Sequence, residues 1–458
     1  MRKKVLYYVT CLSGMLLTLT LVVGCGGDAP SSSKTTPPAE PVASALPSSV
    51  DPCAIALTAH AGTESVDQNI IRLQDAVRHA AMDQMAMAHW ERLGWAFIAK
   101  ARRSFDPGFY KLAEQCALCL AAQQPNSAEV LLLQGHVLHQ MHRFHDAETL
   151  ARQLVTQRGL WFDYGLLGDV LMEQGKLADA VDAYQHMMDQ KPGPQAYSRA
   201  AHLRWLTGDL AGAIAVMQMA TGVGGFHDPE AAAWAHVRLA LYEWQAGHVS
   251  QASTHLEAAL ALQPEYPPAL LARGRMLLAD NNAVAAVGPL TRAAQRNPLP
   301  EYQWVLSDAL RAAGRVEDAQ AVAMHLRQRS AVEDRRTFAL YLATTGQEIE
   351  TAVRLAEEEL AARADVFTLD TLAWALHAAG RHDEARTVSE RALTVGTQEA
   401  RLFYHAGVIA AAVGQADEAT RWFARATALS QMLLPSEREH LAQVSARVQT
   451  PHTILAEH

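Results

Sequence analysis

From Trp161 to Pro192 the chain reads WFDYGLLGDVLMEQGKLADAVDAYQHMMDQKP. Leu167, Val170 and Leu171 fall at i, i+3 and i+4, the period of one helical face. Ala180, Val181, Tyr184 and Met187 mark a second helix with the same period. Gly175 punctuates the two and Pro192 ends the pair. Gly168 and Ala180 put small residues where the helices can cross closely. Two short helices cannot bury their apolar surface alone, so the pair needs neighbours.

The neighbours come at a steady beat. A turn glycine recurs at Gly175, Gly208, Gly247, Gly314, Gly346, Gly380 and Gly414, with Asn281 filling one place. The spacings are 33, 39, 34, 33, 32, 34 and 34 residues. Five residues later stands an alanine: Ala180, Ala213, Ala252, Ala286, Ala319, Ala385 and Ala419. After Gly346 the alanine is Ala352, a slip of one residue. Pro192, Pro264 and Pro298 close units. The pattern predicts nine to ten helix pairs and no sheet.

These residues resemble the tetratricopeptide repeat family. Gly168, Gly175, Ala180, Tyr184 and Pro192 fill its small, glycine, alanine, aromatic and proline places, and Gly407, Gly414, Ala419 and Phe423 fill four of them again. The resemblance covers about residues 125–430, and more weakly 90–125, and implies an all-α, right-handed α-solenoid of stacked helix pairs that binds other proteins.

The ends of the chain read differently. Arg2-Lys3-Lys4 precedes an apolar run from Val5 to Val23, and Val22-Val23-Gly24-Cys25 resembles a bacterial lipobox. The resemblance implies cleavage after residue 24 and a lipid on Cys25; an uncleaved membrane anchor is the alternative. Gly26 rather than Asp follows, which resembles outer-membrane sorting. Residues 25–50 are rich in Pro, Ser and Thr and read as a disordered tether. Residues 51–127 are irregular, with Leu93-Gly94-Trp95 opening a helix pair that turns at Phe105-Asp106-Pro107-Gly108. Regular repeats occupy 128–434, with His142 at one glycine place. An insertion, TGVGGFHDPEAAA, lengthens one connection before an expected cap at Asp228-Pro229. Residues 435–458 read as a solvating end helix opened by a Ser436–Glu439 capping box.

Charge excludes one class of partner. The chain has 39 basic and 48 acidic residues, a net of −9. It shows none of the clustered Lys and Arg that phosphate neutralisation needs, so nucleic acid is not expected. No catalytic motif is present, and no cofactor is expected. Cys116-Ala117-Leu118-Cys119 lacks the histidine of a haem site. Two readings stay open for its thiols: a disulfide from Cys53 to one of them, or buried apolar cysteines.

Two sets of residues carry candidate binding chemistry. By the family resemblance, the second, fifth, ninth and twelfth places of each first helix line a concave groove. Residue by residue that implies His136, His139, His202, Trp205, Trp234, Trp244, Trp304, Asp308, Arg311, Trp374, His377 and Tyr404. Five of the nine tryptophans fall there, and tryptophan is typical of binding hot spots. The other set is His136, His139, His142 and His145 in GHVLHQMHRFHD, where neighbours on one helix face could share a zinc, copper or nickel ion. The leading expectation is a non-enzymatic, lipid-anchored scaffold of the bacterial envelope, facing the periplasm and holding a protein or peptide in its groove. A metal-handling protein is the alternative. An enzyme is disfavoured, because solenoid grooves are open and wet.

Overall fold

The computed structural model describes residues 51–79, 84–222, 226 and 228–449. The expected signal peptide, Cys25 and the tether lie outside the described residues, as does the heart of the 220–234 insertion. Every regular element among the described residues is helical. Two helices come first, α1 (Pro52–Ala56) and α2 (Ser65–His79). Ten antiparallel pairs follow. The first five are α3 (Gln84–Ser104) with α4 (Gly108–Gln123), α5 (Ala128–Gln140) with α6 (Phe144–Gln157), α7 (Trp161–Glu173) with α8 (Leu177–Gln190), α9 (Pro194–Leu206) with α10 (Leu210–Gly222), and α11 (Pro229–Gln245) with α12 (Val249–Leu262). The second five are α13 (Pro267–Ala279) with α14 (Ala283–Arg296), α15 (Pro300–Ala312) with α16 (Val316–Glu333), α17 (Arg335–Thr345) with α18 (Ile349–Ala362), α19 (Val366–Ala378) with α20 (His382–Leu393), and α21 (Ala400–Ala412) with α22 (Ala416–Ala428). The last helix is α23 (Pro435–Gln449). None of these helices is long and apolar enough to cross a membrane.

The sequence beat has a backbone cause. Each recurring turn glycine from Gly175 to Gly414 sits at φ between 67° and 88°, the left-handed region where a Cβ is penalised. His142 and Asn281 take the same turn at φ 58° and 57°, and Phe105 does so in the first pair. The alanines five places on are buried because the two helices cross there. Gly168 shows the reason for the small residue: a Cβ on it would lie 2.3 Å from the Tyr184 ring. The slip after Gly346 is a longer turn, with Glu348 also at positive φ, and Ala352 is fully buried.

Local expectations fare unevenly. Asp228 caps α11 by accepting from the Glu230 N–H, with Pro229 in the first turn. Cys53 is disulfide-bonded to Cys119, tying α1 to α4, while Cys116 is a free buried thiol. The capping box is corrected: Glu437 accepts from the Leu434 N–H at 2.9 Å, while the Ser436 N–H donates to Asp308 at 3.3 Å. Helix α23 is also no simple solvating end. It packs on α15 and α21, buries Leu441, and its Arg438 donates to the carbonyls of Leu278 and Ala279.

That contact belongs to a seam running along the solenoid. The turns of the N-terminal pairs meet the connections of the C-terminal pairs. Arg363 donates to Glu173 at 3.0 Å, and its guanidinium lies over the Phe144 ring. Thr397 donates to the Leu206 carbonyl, Gln245 to that of Gln398, and Arg275 to that of Met432. Leu206, Val366, Leu369 and Leu402 share one apolar cluster across it. Arg102 and Phe105 meet Glu230 and Tyr266 in the same way. Successive layers of the solenoid therefore touch, and the contacts are not limited to adjacent repeats.

Candidate functional site: the inner face

Three cavities lie along the inner face, walled mainly by the first helices of the pairs. The first, of about 400 Å³, is lined by Trp304, Tyr341, Trp374 and Tyr404, with Asp308 and Arg311 beside them. The second, of about 310 Å³, is lined by Trp205, Arg238, Tyr242, Arg275, Phe367 and Arg401 among others. The third, of about 500 Å³, lies at the seam between His202, Trp205 and Arg238 on one side and Arg336, Arg363 and Phe367 on the other.

The expected groove residues are thus brought together, but not on an open surface. Trp304 and Trp374 are each 5% exposed and Trp244 is 3% exposed. Trp374 donates to Thr344 at 3.1 Å and stacks on His405 with centroids 4.1 Å apart. Trp304 has Arg401 over its ring at 5.1 Å, and Trp205 donates to Gln245 at 2.8 Å. Trp244 sits in the core under Arg275, and Trp234, at 38% exposed, lines none of the three cavities. His377 lies behind Trp374, stacked at 5.2 Å. The freely exposed tryptophan groove is therefore corrected: Trp244, Trp304 and Trp374 are buried, the last two largely against side chains of the adjacent repeats, and Trp205 is half-buried.

Electrostatics follow from this burial. Burial raises the Asp308 and Glu399 carboxyls above their ordinary values. Burial, and then the cations of Arg238, press His202 down to about 3. Burial, with His382, His405 and His440 nearby, brings His377 to about 4. These rings are neutral at pH 7, so His202 Nδ1 can accept from Arg238 at 3.1 Å.

The metal expectation at His136–His145 is corrected too. His136 meets Trp95 edge-on at 5.1 Å, His139 meets Phe144 edge-on at 5.6 Å, and His142 stacks on Phe144 at 5.5 Å. His145 is exposed at the start of α6. The turn at His142 sends the four rings to different neighbours. Among the described residues no three His, Cys, Asp or Glu side chains are grouped to hold a metal ion.

Sequence reasoning passed over Arg275, Phe367, Asp370 and Arg401, although these occupy the same groove places as the residues it named. Arg238 and Tyr242 fall one residue out of phase in the longer helix α11, so no spacing signal marks them.

A tetratricopeptide repeat family model matches residues 166–223 and 237–299. A search of curated proteins finds no match to the chain. Among solved structures, PilW, a widely conserved type IV pilus biogenesis factor, is similar at 13% identity over 44% of this chain and 93% of its own, with a TM-score of 0.39. Yeast Tom70 is similar at 13% identity over 84% of this chain and 96% of its own, with a TM-score of 0.35. The Cut9 and Hcn1 complex matches at 11% identity over 84% and 90%, with a TM-score of 0.32. Residues 166–223 and 237–299 are thus tetratricopeptide repeats, and the same glycine turns and buried alanines carry the helix-pair pattern on to Gly414 and Ala419.

Proposed function

We propose that the chain is a non-enzymatic interaction scaffold of the bacterial cell envelope. Its lipid sits on Cys25, it belongs to the outer membrane and faces the periplasm, and it engages a partner protein at Arg311, on the rim of the cavity lined by Trp304, Trp374 and Tyr404. One observation carries the reading: four aromatic rings gather at the 400 Å³ cavity, with the exposed cation Arg311 at its edge. Large rigid rings beside a charged rim are the make-up of an interaction hot spot. The repeats of this family bind protein partners, and the site itself carries no catalytic constellation.

Crosslinking and pull-down from native membranes tests this. The wild type should recover a discrete partner, and Arg311→Glu should reduce that recovery at least tenfold while the protein stays folded. Equal recovery by both would overturn the site. Fatty-acid labelling that marks the wild type and not Cys25→Ser tests the anchor separately; equal labelling would overturn it.

A further inference from the structure

Trp205, Arg238, Arg336 and Phe367 line both the 310 Å³ and the 500 Å³ cavity. The first two come from α9 and α11, the others from α17 and α19 across the seam. Trp205 and Phe367 stack across it with centroids 5.9 Å apart.

The charges here do not balance. In the larger cavity Asp365 is held by Arg336 at 3.0 Å and Glu173 by Arg363 at 3.0 Å. In the smaller one Asp370 is held by His405, Glu399 accepts from the Leu402 N–H, and Glu301 lies 4.0 Å from Arg275. Arg238 has no carboxylate partner among the described residues. Its Nη2 donates to His202 and, at 3.3 Å, to the Tyr242 hydroxyl, while its Nε is buried with no acceptor. A guanidinium does not deprotonate in proteins, and a sheltered charge without a counter-ion is costly. Its contacts over the Trp205 and Tyr242 rings, at 5.3 and 5.1 Å, offset only part of that cost. Arg391, at the exposed edge of the larger cavity, makes no ion pair among the described residues either.

We propose that these joined cavities bind a small anionic molecule, a carboxylate or phosphate group on a planar apolar body, with the anion on Arg238 and the body against Trp205 and Phe367. The volumes lie in the range of small-molecule sites. The site adjoins the one proposed for a protein, with Trp304 as a shared wall, but Arg238 and Phe367 belong to it alone. Because its walls come from facing layers, an occupant fastens the seam and stabilises the closed solenoid.

Calorimetry and thermal unfolding of the purified chain test this, using benzoate, phenyl phosphate, inorganic phosphate and neutral benzamide as probes. At least one of the two aromatic anions should bind saturably and raise the unfolding temperature, and which one does identifies the head group. Benzamide and inorganic phosphate should bind at least tenfold more weakly. Arg238→Gln should weaken the anion at least tenfold, the loss expected for a charge-assisted hydrogen bond. Arg391→Gln should change it less than threefold. Should the glutamine variant fail to fold, Arg238→Lys, which keeps the charge and loses the fork, gives the same readout. Binding of neither aromatic anion to the wild type, equal affinity for benzamide, or unchanged affinity in a folded Arg238 variant would overturn the proposal.

Discussion

His136, His139, His142 and His145 stand three residues apart on the second helix pair, and their rings do not converge. His377, His382, His405 and His440 come from four helices, α19, α20, α21 and α23; His377, His405 and His440 pack on Trp374 or Tyr404, and His382 joins them through His377. His405 donates to Asp370, 35 residues away, and His440 bonds the Tyr404 hydroxyl, 36 residues away. In a solenoid, a separation of about one repeat returns a residue to the same phase on the adjacent helix. A separation of three turns it around its own helix, and the turn then redirects it. Clustering in this fold is read at the repeat length, not at short range.

The comparison breaks most visibly through stability. His405 is fully buried, stacked on Trp374 and bonded to Asp370, which is itself 5% exposed. His405→Ala should cost about 3–5 kcal/mol, from the cavity and the orphaned carboxyl together. His139→Ala, at a half-buried ring, should cost under about 1 kcal/mol. Urea unfolding of both variants measures the difference; equal losses would erase the distinction.

Acid gives the next effect, and here the two regions should behave alike. Burial, and then His139, lower His136 to about 4; His377 also stands at about 4 and His202 at about 3. The unfolded chain titrates these rings near 6.5, so between that pH and the folded values it binds more protons than the native state. Stability from these groups is full above pH 6.5 and falls as the pH drops toward 4, and toward 3 for His202. Unfolding free energies measured from pH 7.5 to 4 should show this slope, and His377→Gln should shallow it.

Metal binding sharpens the contrast at smaller scale. Zinc titration of metal-stripped protein should give the same heats for the wild type and His136→Ala/His139→Ala; loss of a site tighter than about micromolar in the double variant would restore the sequence expectation. The smallest effect belongs to His142. Its φ of 58° favours glycine by up to about 1 kcal/mol, set against the lost stacking on Phe144. His142→Gly should therefore stabilise the fold slightly, by less than about 1 kcal/mol, as read from the unfolding midpoint.

Much of this architecture was legible before any coordinates. A left-handed turn needs glycine or a tolerant stand-in, and a close helix crossing needs alanine, so Gly175 and Ala180 and their repeats spelled out the helix pairs through local sterics alone. The same phase pointed Trp205, Trp304, Trp374 and Tyr404 inward. What lay beyond the sequence was everything set by the sum of small rotations from one repeat to the next. That sum brings Arg363 to Glu173 and Thr397 to Leu206, pairs 190 and 191 residues apart. It also brings Arg438 of α23 to Leu278. No spacing rule encodes such a meeting, because a slight change of angle per repeat moves the far layer out of reach. For that reason the continuous groove of the sequence became a set of half-open cavities. The partner of Cys53 waited on where α1 settles against α4, and the isolation of Arg238 was decided by which carboxylates the opposite layer brought to it.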